Sequence, residues 1–571
     1  MEYTIKEKRS VLSVIIRILT SLLIIFAYYW FCLPPINLRS PEFWFFVGFA
    51  IVVFVAVNAF SQIISVFKSI SSGEGIKSPK DSFKSFSKPI LGAIISVVSI
   101  ALIGFIASCA GSELFNAGSY NQLLTLNNSS FSADVSEISQ SQIPVVDRDS
   151  AERLGQRKLG EMSDLVSQFE VGENYTQINY KGKPTRVTPL VYSDYIKWFL
   201  NQSEGIPAYL NVDMATQETS LIRLKQGIKY SESELFLRNI NRYLRFKYPT
   251  TIFDNISFEI DENGTPFWVA STVTYRIGLW SGKDIDGAVL VNAITGESQQ
   301  YALKDVPAWV DQVFDSDMII EQLGFNGKYR SGFFNSIFGQ KGVLVPTDGY
   351  NYLAIDDDVW LYTGMTSAVS DESNVGFVLI NLRTKEGRYY NVPGAEEYSA
   401  MGSAEGQVQN LGYTSTFPIL LNVSNRPTYF MSLKDDAGLV KMYAFVDVAQ
   451  YQIVGTGNTV NQAKENYISK LGDENLADEN VKKTETKVSG TIALVNSAVV
   501  GGNTKYYIML EDNDNVYTVD ISLSDKLPFA KAGQKIELTI TEQNGKSSIT
   551  KIDFIVSDSL KSTEKVTTVN Q

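Results

Sequence analysis

Three long apolar runs occupy the first 110 residues of this 571-residue chain. They extend from Val11 to Leu33, from about Phe43 to Phe67, and from Pro89 to about Cys109. Each contains roughly 20 mainly apolar residues, which is the length that crosses about 30 Å of hydrocarbon. A buried core helix is the alternative for one run, but three in series predict a membrane anchor over residues 1–111 with three transmembrane helices.

Lysine and arginine predict the orientation of these spans, because cytoplasmic segments next to spans are enriched in them. Basic residues precede the first run, and the connection between the second and third runs is rich in lysine: Lys68, Lys77, Lys80, Lys84 and Lys88. The turn between the first two runs has Arg39 as its only basic residue. We therefore predict a multi-pass protein of the cell membrane with a cytoplasmic N-terminus and extracytoplasmic C-terminal domains.

The remaining chain is acidic and lacks several catalytic residue types. Residues 1–111 hold 10 basic and 5 acidic side chains, which leaves 40 and 57 for the remainder. This balance argues against nucleic acid or anionic lipid as a partner of the exterior. The chain has no histidine, and its two cysteines, Cys32 and Cys109, lie in the apolar runs. Ser-His-Asp and Cys-His catalysis, imidazole-bound metals and an ectodomain disulfide are therefore excluded.

The segment Ile106-Ala107-Ser108-Cys109 resembles a bacterial lipoprotein box. Lipidation of Cys109 would follow cleavage before it. Such signals normally stand at the N-terminus, whereas this one follows two spans, so we expect an unprocessed third span.

Composition and periodicity divide the rest of the chain into further segments. Residues 112–148 are rich in Ser, Asn and Gln and predict a juxtamembrane linker. Helix and strand signals predict a mixed α+β ectodomain with antiparallel sheets, in one part over 149–302 and a second over 303–472. Within the first part, a helix is expected over Asp194–Asn201. Residues 473–486 form an acidic linker, and 557–571 are expected to be a disordered tail.

A recurring pattern places a turn residue, a spacer, a proline and an aromatic at the start of an apolar strand, where the missing proline N–H is not needed. It begins at Gly205, Gly264 and Asn425. Around the second copy, a predicted helix from Ser233 to Lys247 is followed by strands, and Thr295-Gly296-Glu297 closes the unit as a turn. This arrangement over 233–301 resembles PepSY domains, which are small α+β modules of bacterial envelope proteins. The resemblance implies an envelope module and assigns no functional residues.

The C-terminal part contains five strand candidates in about 70 residues: 488–495, 505–510, 516–523, 535–541 and 548–554. Five short strands predict a small β-barrel of the OB-like type over 487–556. An SH3-like or sandwich arrangement is the alternative. Nucleic-acid binding does not follow from such a shape, because the strands lack a basic, aromatic face.

Carboxylates are the main remaining source of chemistry. The densest acidic cluster is Asp356-Asp357-Asp358, with Asp371 and Glu372 nearby. Two of these side chains could flank a glycosidic bond or bind a cation, but a solvated loop beside Val359 is the favoured interpretation. Asp261 opens a segment that begins like a calcium loop, yet Pro266 occupies the position that requires glycine, so a hairpin turn is expected.

These observations favour a membrane-anchored extracytoplasmic binding or assembly protein of the bacterial cell envelope, without catalysis. A membrane-tethered hydrolase with paired carboxylates is the alternative. We assign no catalytic, cofactor-binding or metal residues and predict no cofactor. The expected partners are the lipid bilayer and an envelope protein, peptide or glycan, and a homo-oligomer stays open. The whole composition resembles multi-span membrane proteins of low-G+C Gram-positive bacteria.

Overall fold

The computed structural model describes residues 2–71, 79–137, 142–355, 357–368, 370–473, 484–500, 503–511, 513–543 and 546–555. The chain forms two compact units, Met1–Asn475 and Leu476–Gln571. The first unit opens with three helices, α1 (Glu2–Cys32), α2 (Pro41–Ser71) and α3 (Pro79–Ala110). Each contains a 21-residue stretch long and apolar enough to cross a membrane: Leu12–Cys32, Pro41–Ser61 and Ile90–Ala110. The three predicted apolar spans are therefore present as helices.

The segment predicted to be a juxtamembrane linker is folded where the structure describes it. It contains α4 (Glu113–Asn121), β1 (Leu126–Asn128) and α5 (Phe131–Asp134). Strand β1 pairs in parallel with residues 387–389. Tyr120, Leu124 and Phe131 are buried. The prediction failed because a few large side chains, spaced among many Ser and Asn residues, suffice to fix this segment on the body of the unit.

Four antiparallel meanders build the body of the first unit, and each consists of four consecutive strands that pair in sequence order. Meander 1 is formed by β3–β6. Its region comprises α6 (Arg148–Gly160), β2 (Phe169–Val171), β3 (Thr176–Tyr180), β4 (Lys183–Tyr192), α7 (Tyr195–Asn201), β5 (Ile206–Asp213) and β6 (Thr219–Ile228). The predicted helix α7 is confirmed, and Asp194 caps it by accepting from Ile196 N at 2.7 Å and Lys197 N at 2.8 Å.

Meander 2 follows a helix that is shorter than predicted. The helix expected from Ser233 begins at Ile240, because Phe236 has a left-handed φ of 53° and Asn239 accepts from Arg242 N as the cap. The elements are α8 (Ile240–Lys247), β7 (Phe253–Ile260), β8 (Pro266–Ile277), β9 (Ser281–Asn292) and β10 (Ser298–Ala302).

Meanders 3 and 4 complete the series. Meander 3 is formed by β12–β15 in the region that comprises α9 (Ser316–Lys328), β11 (Leu344–Pro346), β12 (Asn351–Ile355), β13 (Asp358–Ser367), β14 (Ser370–Asn381), β15 (Gly387–Tyr390) and β16 (Gly394–Ala395). Meander 4 is formed by β18–β21 in the region that comprises α10 (Glu397–Gln407), β17 (Thr414–Ser415), β18 (Ile419–Val423), β19 (Arg426–Lys434), β20 (Val440–Asp447), β21 (Val454–Gly457) and α11 (Val460–Asp473).

The turn between the third and fourth strands has the same construction in meanders 1, 2 and 3. Its sequence is Asp or Asn, two residues, Thr, one residue and Glu, over 213–218, 292–297 and 381–386. The first side chain accepts two backbone N–H bonds, each 2.9 Å long. The residue before the Glu is left-handed in every copy: Gln217, Gly296 and Lys385. Meanders 1, 2 and 3 therefore share the sequence of this turn as well as their topology.

Meander 2 is buried on both faces. Val269 and Leu290 pack with meander 3 in one core cluster, whereas Trp268 and Val291 pack with meander 1 in another. The other face of meander 3 meets meander 4, where Asn374 Nδ2 donates to Tyr429 Oη at 3.1 Å. The meanders thus bury one another's sheets, and the removal of this apolar surface from water stabilises the first unit.

The second unit contains one antiparallel sheet of five strands: β22 (Thr484–Val500), β23 (Asn503–Leu510), β24 (Asn513–Asp520), β25 (Lys535–Gln543) and β26 (Lys546–Ile555). The strand order is β24-β23-β22-β25-β26. Between the described residues of β24 and β26 there is no strand pairing, so the sheet does not close into a hydrogen-bonded barrel. The five predicted strands are confirmed, and the OB-like barrel stays a prediction.

Candidate functional site

Asp358, a member of the predicted acidic cluster, forms an ion pair with Arg383. It is buried at the start of β13 and accepts from Arg383 Nε at 2.6 Å and Nη2 at 2.8 Å. Asn381 Nδ2 adds a third bond at 2.8 Å. Asp356 and the side chains of Asp371 and Glu372 lie outside the described residues. A carboxylate engaged in this way fixes the turn of meander 3 and has little capacity left for acid–base work.

The second acidic segment is a hairpin turn, as predicted. Asp261 Oδ1 accepts from Asn263 N at 2.9 Å and from Thr265 N at 2.8 Å, which closes the connection between β7 and β8. Across the described residues, no group of three Cys, Asp or Glu side chains is arranged to hold a metal ion.

The sequence analysis missed a buried pair of carboxyl groups, Glu259 on β7 and Asp311 in the connection before α9. Glu259 is 0% exposed and accepts from Asp311 N at 2.8 Å, Gln312 N at 3.1 Å and Ser257 Oγ at 2.9 Å. Asp311 is 1% exposed and accepts from Asn179 N at 2.7 Å. This carboxyl junction thereby connects meander 1, meander 2 and the segment that leads to meander 3.

Burial dominates the electrostatics of the carboxyl junction. It raises the pKa of Glu259 to about 7, against the opposing effect of its hydrogen bonds. Burial and the neighbouring charge of Glu259 raise the pKa of Asp311 well above its ordinary value. A carboxyl group that is neutral near pH 7 can donate a proton to a neighbouring acceptor. Asp311 Oδ1, however, has no hydrogen-bond partner among the described residues. The carboxyl junction is therefore a buried connection between meanders in which burial favours the protonated carboxyl groups.

A groove of about 820 Å³ lies on meander 1. Its walls come from the connection after α6, the end of α7, the β5–β6 hairpin and the shared turn of meander 2. Four charged side chains, two of each sign, line it: Asp164, Glu204, Lys225 and Lys229. We call this feature the β6 groove.

Two glycines shape the wall of the β6 groove. A Cβ on Gly227 would lie 2.4 Å from Glu204 O, and Gly205 has a φ of +83°. The backbones of β5 and β6 approach closely here, and a bulge interrupts their register between Ile206 and Ala208. Among the described strands β6 pairs only with β5, so its other edge offers backbone N–H and C=O groups beside the groove.

Sequence reasoning had no access to the carboxyl junction or the β6 groove, because each is assembled from distant segments. The one local signal was Glu259, an acid between Phe258 and Ile260 in an apolar strand. Comparison with known proteins adds no relative: no family model matches this chain, and no curated protein matches it.

Proposed function

We propose that this chain is a membrane-anchored binding protein of the bacterial cell envelope and that the β6 groove takes an extended segment of an envelope polypeptide. The observation that carries the proposal is the groove of about 820 Å³ beside the unpaired edge of β6. An extended peptide can add to such an edge through main-chain hydrogen bonds. The mixed charges of Asp164, Glu204, Lys225 and Lys229 would then select its side chains.

Site-specific photocrosslinking in intact cells tests the groove. The photoreactive residue p-benzoyl-phenylalanine replaces Lys225, and in a matched control it replaces Lys304, an exposed lysine outside the groove. We expect a discrete adduct at position 225 that yields peptides of one envelope protein by mass spectrometry, and no such adduct at 304. Equal adducts at both positions, or none at either, would contradict a specific polypeptide site.

The extracytoplasmic location belongs to the same proposal. Two soluble segments contact the α1–α2 turn: Arg245 Nε donates to Leu33 O at 2.8 Å, and Trp280 Nε1 donates to Leu38 O at 3.3 Å. The body of the first unit therefore packs beside the α1–α2 turn, at the end of α2 opposite Ser71, after which the lysine-rich connection begins in the sequence. Since lysine-rich connections favour the cytoplasm, this packing supports an exterior location for the meanders.

We extend the resemblance to PepSY domains, as part of this proposal, from meander 2 to meanders 1 and 3. The Thr-Gly-Glu turn at 295–297 supported it for meander 2, and meanders 1 and 3 have turns of the same construction, Thr216-Gln217-Glu218 and Thr384-Lys385-Glu386. For the second unit, we propose a partly open OB-like barrel. The long strand β22 supports it, because the first half pairs with β25 and the second half with β23.

The ion pair of Asp358 with Arg383 weighs against the hydrolase alternative. Under that alternative Asp358→Asn would abolish a hydrolytic activity while the chain stays folded. Under the binding proposal the same substitution lowers stability, and polypeptide capture through Lys225 persists in the fraction that folds.

A further inference from the structure

The soluble part of the first unit touches the spans through helix α8. Arg242 places its guanidinium 5.1 Å from the centre of the Trp30 ring near the end of α1. The ring of Phe246 lies 5.7 Å from the rings of both Tyr29 and Trp30. Aromatic residues at the end of a span lie at the headgroup level of a bilayer. Helix α8 is therefore held at that level.

A second contact comes from the tip of the β8–β9 hairpin. Trp280 lies against α3 so closely that a Cβ on Gly104 would be 3.2 Å from its ring. Gly104 precedes the end of the span at Ala110 by six residues, which is about 9 Å along a helix. The Trp280 side chain therefore reaches into the depth of the bilayer interface. Two separate parts of the meanders are thus fixed against the same membrane boundary.

Helix α7 presents an apolar surface with no partner among the described residues. Tyr195, Ile196, Phe199 and Leu200 are between 63% and 77% exposed. The opposite side of the helix is anchored, because Trp198 Nε1 donates to Glu234 Oε2 at 2.9 Å. The neighbouring Phe236 and Leu237 are 62% and 54% exposed. We call these six exposed side chains the α7 patch.

The α7 patch is continuous with the membrane contact of α8. Arg242, which covers the Trp30 ring, donates from Nη1 to Phe236 O at 3.1 Å. The Phe236 ring in turn lies 6.0 Å from the Trp198 ring on the inner side of α7. Three consecutive contacts thus lead from the aromatic end of α1 to α7, along one side of the soluble part.

We infer that the α7 patch lies in the headgroup region of the bilayer, so that meander 1 rests on the membrane surface beside the spans. A short helix with large aromatic and aliphatic side chains on one face suits the boundary between headgroups and acyl chains. In water the same side chains would form an exposed apolar patch, which soluble surfaces usually avoid. The contact with Trp30 identifies lipid as the occupant, because a bilayer that surrounds α1 necessarily reaches the adjoining surface.

Spin-label accessibility in the full-length chain tests this placement. Cys32 and Cys109 are replaced by Ser, and single cysteines are introduced as Leu200→Cys, Phe199→Cys and, as a control on meander 4, Leu411→Cys. The chain is reconstituted in phosphatidylcholine nanodiscs, and collision with oxygen is compared with collision with an aqueous nickel complex. We expect the oxygen-to-nickel ratio at positions 199 and 200 to exceed that at 411 several-fold and to approach that of Phe31→Cys.

Two results would overturn the inference. Labels at 199 and 200 as accessible to nickel as the label at 411 would place the α7 patch in water. Labels shielded from both reagents would place a second copy of the chain or another protein on it. Because these side chains are largely exposed, the substitutions remove little packing, and an unchanged thermal unfolding midpoint verifies the fold of each labelled chain. Tyr195→Cys, on the same face, repeats the test if one variant is unstable.

Discussion

Glu259 couples protonation to the stability of the meanders. Burial raises its pKa from 4.5 to about 7, so between these values the folded chain binds more protons than the unfolded chain. The resulting stabilisation is complete below the unfolded pKa and is lost as the pH rises through about 7. We expect the wild-type chain to lose up to about 3 kcal/mol more stability than Glu259→Gln between about pH 5 and pH 8.

Thermal unfolding midpoints of both chains across this pH range measure the effect. Glu262→Gln is the control, because Glu262 is an exposed acid on the adjoining turn and should leave the wild-type profile unchanged. Parallel pH profiles of the wild-type chain and Glu259→Gln would rule out a raised pKa for this carboxyl.

Asp358 and Asp164 provide a second comparison, between a buried and an exposed Asp–Arg pair. The Asp358 pair leaves 12% of the carboxylate side chain and 22% of Arg383 exposed, whereas the Asp164–Arg223 pair leaves 57% and 52%. We expect Asp358→Asn to cost about 1.5–3 kcal/mol and Asp164→Asn less than about 1 kcal/mol, because solvent screens the latter. Chemical denaturation of the two variants gives both values; equal costs would refute a structural role for Asp358.

These residues also mark what the sequence could and could not reveal. The spacing correctly predicted the hairpin turn at Asp261, since its hydrogen bonds are local. Alternation along β7 would place Glu259 on a solvent face, opposite Phe258 and Ile260. That inference assumes that one face of the sheet is exposed to solvent. Meander 2 has no solvent-exposed face, because meanders 1 and 3 cover its two faces. Burial by distant segments is not encoded in a strand's own pattern.

At the scale of elements, the shared turn is the most informative repeat. Asn292 and Asn381 make the same two backbone hydrogen bonds, but Asn381 is 3% exposed and also bonds Asp358. We expect Asn292→Ala to cost about 1 kcal/mol and Asn381→Ala to cost at least twice as much, since the latter also removes a buried hydrogen bond to the Asp358 carboxylate. Asn263→Ala, in an exposed turn, is the matched control. A larger loss of unfolding free energy for Asn292→Ala would contradict the shared-turn account.

The same repeat explains why the element pattern was only partly recognised from the sequence. The pattern of proline and an aromatic residue predicted strand starts after Gly264 and Asn425. Both predicted strands are the second strands of their meanders, β8 and β19. The copy at Gly205 opens a third strand, whereas the true counterpart in meander 1 is Lys183-Pro184, which lacks the aromatic residue. The turn with Asp or Asn, Thr and Glu is short and polar, so it resembles any loop until its hydrogen bonds are known.

At the scale of the whole molecule, the anchor is the feature that the sequence predicted best. Apolar runs of about 20 residues have few other uses, and length alone determines the assignment. The segment 112–148 was misjudged as a linker because its buried side chains, such as Leu124 and Phe131, are sparse in a polar background. The arrangement of four meanders could not be predicted, since the contacts between them join positions that are far apart in the chain.

The central claim is that three spans hold the meanders outside the cell, and labelling of intact cells with a membrane-impermeant maleimide tests it most directly. Cys32 and Cys109 are replaced by Ser, and a single cysteine is introduced as Leu411→Cys on meander 4 or as Lys77→Cys between the second and third spans. The account predicts labelling at 411 in intact cells and labelling at 77 only after lysis. Labelling at 77 and protection at 411 in intact cells would contradict it.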